Sequence, residues 1–159
     1  MTRIYHGTNH PVIEPNPAYD YNRIANGLGF YWTTSKDEAL SYGKNLFERE
    51  VAGYNLIYSS IFKDPASKAT VSNWIKQAQE VNPERVITAA SNFAEDFNQG
   101  INLLIKAVHS ETTKQDQWLA FQSELMLRDT KAWNDIAQAI GIDGIVIEQE
   151  HATHYVLYR

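Results

Sequence analysis

The chain has 159 residues, no cysteine and a formal net charge of −5. This length fits one domain with a core of ordinary size, and the lack of cysteine excludes disulfides and thiolate metal sites. The acidic balance argues against a large nucleic-acid-binding surface, and no run of about 18 apolar residues predicts a membrane-spanning helix. We therefore expect a single domain over residues 1–159, located in the cytoplasm and without a membrane partner.

The first segment predicts a short strand followed by a long loop. Arg3 to His6 fit a strand that ends in the tripeptide His6-Gly7-Thr8. Residues 9–28 contain three prolines, one glycine and several asparagines, which is typical of a loop. A loop of this length in a compact domain is usually functional or mobile.

An aromatic strand, a short helix and a third strand are predicted next. Tyr31 lies in the aromatic strand, because aromatic residues suit a pleated and half-buried surface. Ser35 and Glu38 form the pattern of a capping box, in which each side chain accepts a hydrogen bond from the other residue's backbone amide. The helix runs from about Ser35 to Tyr42, and alternating residues within 51–61 predict a longer strand.

The segment from about 66 to 140 predicts a helical block. Apolar residues recur there at helical spacing, and Asn82 is an N-cap followed by proline at the first helical position. One apolar face is predicted to continue from Val86 to Gly100, and Thr130 is predicted to cap a last helix that Gly141 closes. We expect the large aromatic residues of this block in the core, namely Trp74, Phe93, Phe97, Trp118, Phe121 and Trp133.

The last segment returns to strands. Residues 142–147 predict a buried strand, and residues 155–158 predict its hairpin partner, with a polar connection between them. Strands at both ends and helices in the middle indicate an α+β fold, with the helical block inserted between two groups of strands.

The tripeptide His6-Gly7-Thr8 is a candidate binding element. Glycine beside a histidine lets a ligand approach the backbone closely, and the exposed N–H and C=O groups can hold an amide. The alternative is a histidine that simply ends a strand.

Tyr31 and Tyr42 also allow two interpretations. They belong to a core strand packed on its own helix, or they form the two walls of a slot for a flat ring.

The order of these segments resembles the ADP-ribosyltransferase superfamily. The similarity is to the His-Tyr-Glu branch, which includes the poly(ADP-ribose) polymerases and small bacterial and phage-borne mono-ADP-ribosyltransferases and toxins. His6-Gly7-Thr8 matches the first motif of that family, and Tyr31 and Tyr42 match the second, with the same spacing of eleven. Residues 154–158 match the shape of the third motif. The matched segments cover roughly the first 45 and the last 20 residues.

The resemblance implies a split antiparallel sheet with NAD, the substrate, in a cleft. His6 would hydrogen-bond a ribose hydroxyl, and the backbone of the Gly7-Thr8 segment would hold the nicotinamide carboxamide. Tyr31 and Tyr42 would stack on the two faces of the nicotinamide ring.

The resemblance also assigns the 9–28 loop to the adenosine side of NAD. Arg23 is the candidate for the diphosphate, because a guanidinium matches phosphate geometry. The alternative for Arg23 is a solvated loop cation.

The implied activity is mono-ADP-ribosyl transfer from NAD to a macromolecule, with release of nicotinamide. A protein acceptor is expected, and a nucleic-acid acceptor is the less favoured alternative. Positive charge builds on the ribose as its bond to nicotinamide breaks, so a nearby carboxylate would stabilise it and could also activate the acceptor. The toxin and effector relatives imply action in the cytoplasm of the producing cell or of a target cell.

The sequence departs from the family at two positions. His154 stands where the family has its glutamate, and Ala39 stands where a serine often contacts the nicotinamide amide. Glu148 and Glu150 lie two apart in the same hairpin, so both would face one side of a strand and either could reach the ribose. A neutral His154 could itself act as a base. The alternative is that all three residues decorate a solvated hairpin.

Three other functions compete with the transferase. Water as the acceptor would make an NAD glycohydrolase, and the missing glutamate favours a catalytically silent module that binds NAD, ADP-ribose or a protein. RNA 2′-phosphate transfer to NAD, known in a sister branch, is disfavoured by the acidic balance. The segment 148–154 offers four potential metal ligands, but it lacks a helical arrangement for them, so we expect no metal.

Overall fold

The described part of the chain has four strands and one helix first, then five consecutive helices, and finally two strands. The computed structural model describes residues 2–13, 28–58, 67–125 and 127–159, with the backbone alone for 67–70. Its six strands are β1 (Thr2–Thr8), β2 (Phe30–Thr33), β3 (Asn45–Val51), β4 (Leu56–Tyr58), β5 (Gly144–Glu148) and β6 (Thr153–Leu157). Its six helices are α1 (Lys36–Tyr42), α2 (Ser67–Val81), α3 (Pro83–Ser91), α4 (Phe97–His109), α5 (Lys114–Glu124) and α6 (Thr130–Ile140). The prediction of an α+β fold is confirmed.

The described strands form one six-stranded sheet in the order β3-β1-β2-β6-β5-β4. The prediction of an antiparallel sheet is wrong at one edge, where β4 pairs parallel to β5. Parallel neighbours need a crossover connection, and here the helices α2 to α6 supply it between β4 and β5. The helical block therefore covers the sheet instead of forming a separate unit.

The pairing between β1 and β2 is short. Only Tyr5 and Thr33 are paired in register among the described residues of these strands, whereas β1 pairs with β3 along its whole length. We call this region, residues 5–7 of β1 with residues 31–33 of β2, the β1–β2 seam. The two parts of the sheet meet here with few backbone hydrogen bonds between them.

The predicted strand over 51–61 is wrong in its bounds. β3 ends at Val51, and β4 begins only at Leu56. Gly53 lies between them with φ of +69°, a left-handed conformation that breaks a strand and that glycine adopts without strain. The strand β3 itself, which precedes Val51, was not predicted.

The capping pattern of the helical block is partly as predicted. Asn82 caps α3, and Gly141 closes α6 in the left-handed conformation. Asp129, not Thr130, caps α6. The predicted continuous face from Val86 to Gly100 is interrupted, because Asp96 accepts a hydrogen bond from the Gln99 amide and begins a new helix.

The core has two parts, one on each face of the sheet. The larger part lies between the sheet and the helical block and holds the aromatic cluster Trp74, Trp118, Phe121, Trp133 and Tyr158. The smaller part consists of Ile4, Trp32, Val146, Tyr155 and Leu157. The predicted core aromatics are buried, except that Phe93 and Phe97 are half-buried. Among the described helices, none combines the length and apolarity needed to cross a bilayer.

Candidate active site

A cavity of about 410 Å³ opens at the β1–β2 seam, beneath helix α1. This volume lies within the range that small-molecule sites usually occupy. Strands β1, β2 and β6, helix α1 and the β5–β6 turn all contribute to its wall: Tyr5, His6, Gly7, Tyr31, Trp32, Thr33, Glu38, Ala39, Tyr42, Gln149 and His154. Segments more than a hundred residues apart in the chain therefore meet at this cavity.

His6 bridges the β1–β2 seam. Its Nδ1 lies 2.6 Å from the backbone carbonyl oxygen of Tyr31. A carbonyl oxygen only accepts hydrogen bonds, so Nδ1 carries the proton and Nε2 of the neutral ring is an acceptor. The ring also contacts Trp32, with ring centroids 5.7 Å apart. His6 thus has a fixed tautomer in a half-buried position at the cavity wall.

The two tyrosines of the second motif both line the cavity. Tyr31 is half-buried and packs against the larger core. Tyr42 ends helix α1 and is 68% exposed. Tyr31 therefore belongs to the inner wall, and Tyr42 is an exposed aromatic side chain at the opening. The exposed ring of Tyr42 can pack against a ligand that enters the cavity.

Gly7 has a packing reason to be glycine. A β-carbon at this position would overlap the backbone carbonyl of Ala39 in helix α1. Helix α1 therefore lies directly on the strand at this point, and Gly7 also lines the cavity. Ala39 is buried and lines the cavity, as the residue aligned with the family's serine.

Thr8 and Arg23 are not part of the described cavity wall. Thr8 is buried, and its Oγ1 accepts a hydrogen bond of 3.1 Å from the His10 amide, which closes the turn after β1. Arg23 lies outside the described residues, as does most of the 9–28 loop.

Glu38 is the cavity residue that the sequence interpretation missed. Its Oε2 accepts a hydrogen bond of 2.6 Å from the Thr33 hydroxyl, and its Oε1 accepts one of 2.8 Å from Nε2 of His154. The predicted capping box is half correct. The Glu38 amide donates to Ser35 Oγ, but the Ser35 amide donates to Thr33 Oγ1 instead of the Glu38 carboxylate.

The Glu38 carboxylate does not bind the backbone amide of Ser35, because that amide has another acceptor. Thr33 Oγ1 accepts the hydrogen bond of the Ser35 amide. The Glu38 side chain therefore points to Thr33 on β2 and His154 on β6 instead of folding back on its own helix. In the sequence, Glu38 is recognisable only as an acidic residue in the first turn of α1. Only the pairing of Thr33 with His154 across β2 and β6 shows what that acid contacts.

The surroundings of Glu38 favour its charged form. The side chains of Glu38 and His154 are only 28% and 22% exposed. Burial alone would raise the pKa of the Glu38 carboxyl, but hydrogen bonds from Thr33 and His154 and the nearby imidazole hold that pKa below its ordinary value. The carboxylate in turn fixes the proton of His154 on Nε2, so the neutral ring keeps its lone pair on Nδ1.

Glu148 and Glu150 are exposed, and neither belongs to the cavity wall. Ile147 is paired with His154, so the side chain of Glu148, one residue on, faces the opposite side of the sheet. Gln149 lines the cavity instead, and its amide donates to the Ala152 carbonyl to close the turn. Of the three predicted hairpin candidates, the structure brings only His154 to the cavity.

Trp32 lines the cavity, and its indole N–H is a buried polar group without a partner in the described part of the chain. Trp32 is only 5% exposed. An unsatisfied buried donor of this kind costs about 1–3 kcal/mol. Across the described ranges, no group of three histidine or acidic side chains is arranged to hold a metal ion.

Comparisons with known proteins add little. No protein-family model matches the chain, and no curated protein matches it. A solved structure described as the crystal structure of an anti-CRISPR protein is 15% identical and covers 98% of this chain and 88% of its own, with a TM-score of 0.41. A similarity this low does not indicate a function for this chain.

Proposed function

We propose that the protein is a mono-ADP-ribosyltransferase that moves ADP-ribose from NAD to a macromolecular acceptor, most favourably a protein, and releases nicotinamide. One observation carries this proposal: His6, Tyr31 and Tyr42 line the same cavity at the β1–β2 seam. Those residues are matched to the family's motifs from sequence alone, and nothing in their spacing requires them to share a cavity. The proposed location of the activity is the cytoplasm of the producing cell or of a target cell.

The chemistry of the cavity wall fits the nicotinamide–ribose part of NAD. Tyr31 and Tyr42 offer aromatic faces for a flat ring, and the His6 tautomer protonated on Nδ1 offers Nε2 as an acceptor for a ribose hydroxyl. These groups would hold the substrate and fix its orientation, which is a large part of lowering the barrier.

Tyr42 tests the proposal better than Tyr31 does, because its side chain is mostly exposed and its loss should not disturb the fold. We expect Tyr42→Ala to lower kcat/KM for NAD by about tenfold to a hundredfold, since stacking on an aromatic side chain contributes roughly 1–3 kcal/mol. The measurement is nicotinamide release from NAD in the presence of a cell lysate, with mass spectrometry to detect ADP-ribose adducts.

Tyr58→Ala is the matched control. Tyr58 is also an exposed tyrosine, but it lies on β4 at the far edge of the sheet. Equal activity of Tyr42→Ala and Tyr58→Ala would contradict the stacking role. Nicotinamide release without any adduct would identify an NAD glycohydrolase, and NAD binding with neither release nor adduct would identify a silent binding module.

A further inference from the structure

A chain of polar contacts runs from Thr33 through Glu38 to His154. Both oxygens of the Glu38 carboxylate accept hydrogen bonds, at 2.6 Å from the Thr33 hydroxyl and 2.8 Å from His154 Nε2. All three residues line the cavity that contains His6, Tyr31 and Tyr42. A partly buried carboxylate that orients an imidazole at a cavity wall is an arrangement typical of general base catalysis.

We propose that Glu38 and His154 together perform the task for which the sequence offers no glutamate at position 154. In this assignment, which rests on the proposed function, His154 is the catalytic base that contacts the acceptor. Glu38 is its positioning residue and supplies the negative charge of the pair. The carboxylate comes from helix α1 and reaches His154 of β6, whereas the sequence indicated a carboxylate within the β5–β6 hairpin.

The charges balance through the reaction. The bond between C1′ of the ribose and N1 of nicotinamide breaks, and its electron pair leaves with nicotinamide, which departs as a neutral molecule. The positive charge of the nicotinamide ring thereby passes to the ribose. A nucleophilic atom of the acceptor forms the new bond to C1′, and its proton passes to Nδ1 of neutral His154. The product state is then an imidazolium that is paired with the Glu38 carboxylate.

The structure supplies a physical reason for each part of this pair. Hydrogen bonds from Thr33 and His154 stabilise Glu38 in its charged form, so negative charge is present before the reaction begins. The same contact holds the proton of His154 on Nε2, which leaves Nδ1 as the acceptor. Glu148 and Glu150 are exposed and lie outside the cavity wall, and Glu148 faces the other side of the sheet.

The test compares Glu38→Gln, His154→Gln and the control Glu84→Gln in the full chain. Glu84 is exposed in the first turn of α3, so its change removes one carboxylate from the helical block only. We expect Glu38→Gln and His154→Gln to lower kcat for nicotinamide release by about 10²-fold to 10⁴-fold. The dissociation constant for NAD, measured by titration calorimetry, should change less than about threefold, because neither group is assigned to hold the ground state.

The outcomes separate the two proposals. If the wild-type protein neither binds NAD nor releases nicotinamide, the proposed function and this assignment both fail. If wild type is active and Glu38→Gln keeps its kcat, only this assignment fails. A loss of NAD binding equal to the loss of kcat in Glu38→Gln would also overturn it, since that result indicates a structural role. If Glu150→Gln lost kcat and Glu38→Gln did not, the negative charge would instead come from the β5–β6 hairpin.

Discussion

At the scale of single residues, Glu38 makes a prediction about acid stability. Its pKa is held below the ordinary value of 4.5 in the folded protein, so folding favours the ionised form. The resulting stabilisation is present above the pKa of the unfolded chain and is lost as the pH falls through the lower pKa of the folded state. We therefore expect the free energy of unfolding to decrease as the pH is lowered below about 4.5.

Glu38→Gln should lessen that decrease, because glutamine does not titrate. The measurement is urea-induced unfolding of wild type and variant at several values between about pH 6 and pH 3. Glu84→Gln serves as the control, since its carboxylate is exposed and lies in the helical block. Parallel pH profiles for wild type and Glu38→Gln would show that the contacts of Glu38 with Thr33 and His154 are not formed in solution.

At the scale of the element, helix α1 carries Glu38 and Tyr42 into the cavity, and a single residue fixes its start. Ser35 Oγ accepts a hydrogen bond of 3.1 Å from the Glu38 amide. Ser35→Ala should cost about 0.5–2 kcal/mol of stability, as for other N-caps. It should also lower nicotinamide release, because the first turn that holds the Glu38 carboxylate loses its anchor.

Thr113→Ala separates these two effects. Thr113 caps α5 in the same way, with Oγ1 accepting from the Asp116 amide, but α5 does not reach the cavity. We expect a similar loss of stability from Thr113→Ala, measured by thermal unfolding, with nicotinamide release unchanged. If both variants lost activity equally, general destabilisation and not the position of α1 would explain the loss.

The sequence was most informative where local pattern determines the structure. The helical block, the β5–β6 hairpin and the cap at Ser35 follow from spacing and capping residues, and they were predicted. β3 was not predicted, and the predicted strand over 51–61 was too long because the apolar alternation gives no sign of the break at Gly53. The parallel edge was also missed, since it depends on where the chain returns after α6 and not on the residues of either strand.

In the candidate site, too, residues in local motifs were predicted and residues joined by distant contacts were not. The histidine and tyrosines were found because they lie in motifs with a fixed order in the sequence. Glu38 was assigned to its own helix, since a capping box is the local explanation for an acid three residues after a serine. Its actual partner, His154, lies 116 residues further along the chain, and only strand pairing brings the two together.

At the scale of the whole molecule, Tyr158 joins the last segment to the aromatic cluster of the helical block. Trp118 Nε1 donates a hydrogen bond of 2.7 Å to the Tyr158 hydroxyl in a fully buried setting. Tyr158→Phe would leave that indole N–H without its acceptor, so we expect a loss of about 1–3 kcal/mol in the free energy of unfolding at neutral pH. Urea titration followed by tryptophan fluorescence measures it.

The stability difference between wild type and Tyr158→Phe should be smaller at alkaline pH. Burial raises the pKa of the Tyr158 hydroxyl, so its contribution to stability is present below the pKa of the unfolded chain and is lost as the pH rises above it. The difference between wild type and Tyr158→Phe should therefore shrink above about pH 10. A difference that stays constant from neutral to alkaline pH would show that the hydroxyl is accessible to solvent.

The wide separation of the cavity's parts along the chain affects when the proposed activity can arise during synthesis. The segment that carries His6, Tyr31, Glu38 and Tyr42 leaves the ribosome first, and more than a hundred residues follow before His154 is added. A nascent or prematurely terminated polypeptide therefore lacks the group assigned as the base, although it already has the residues assigned to nicotinamide. Under the proposed function, an incomplete copy of this protein would leave the NAD of the cell that makes it intact.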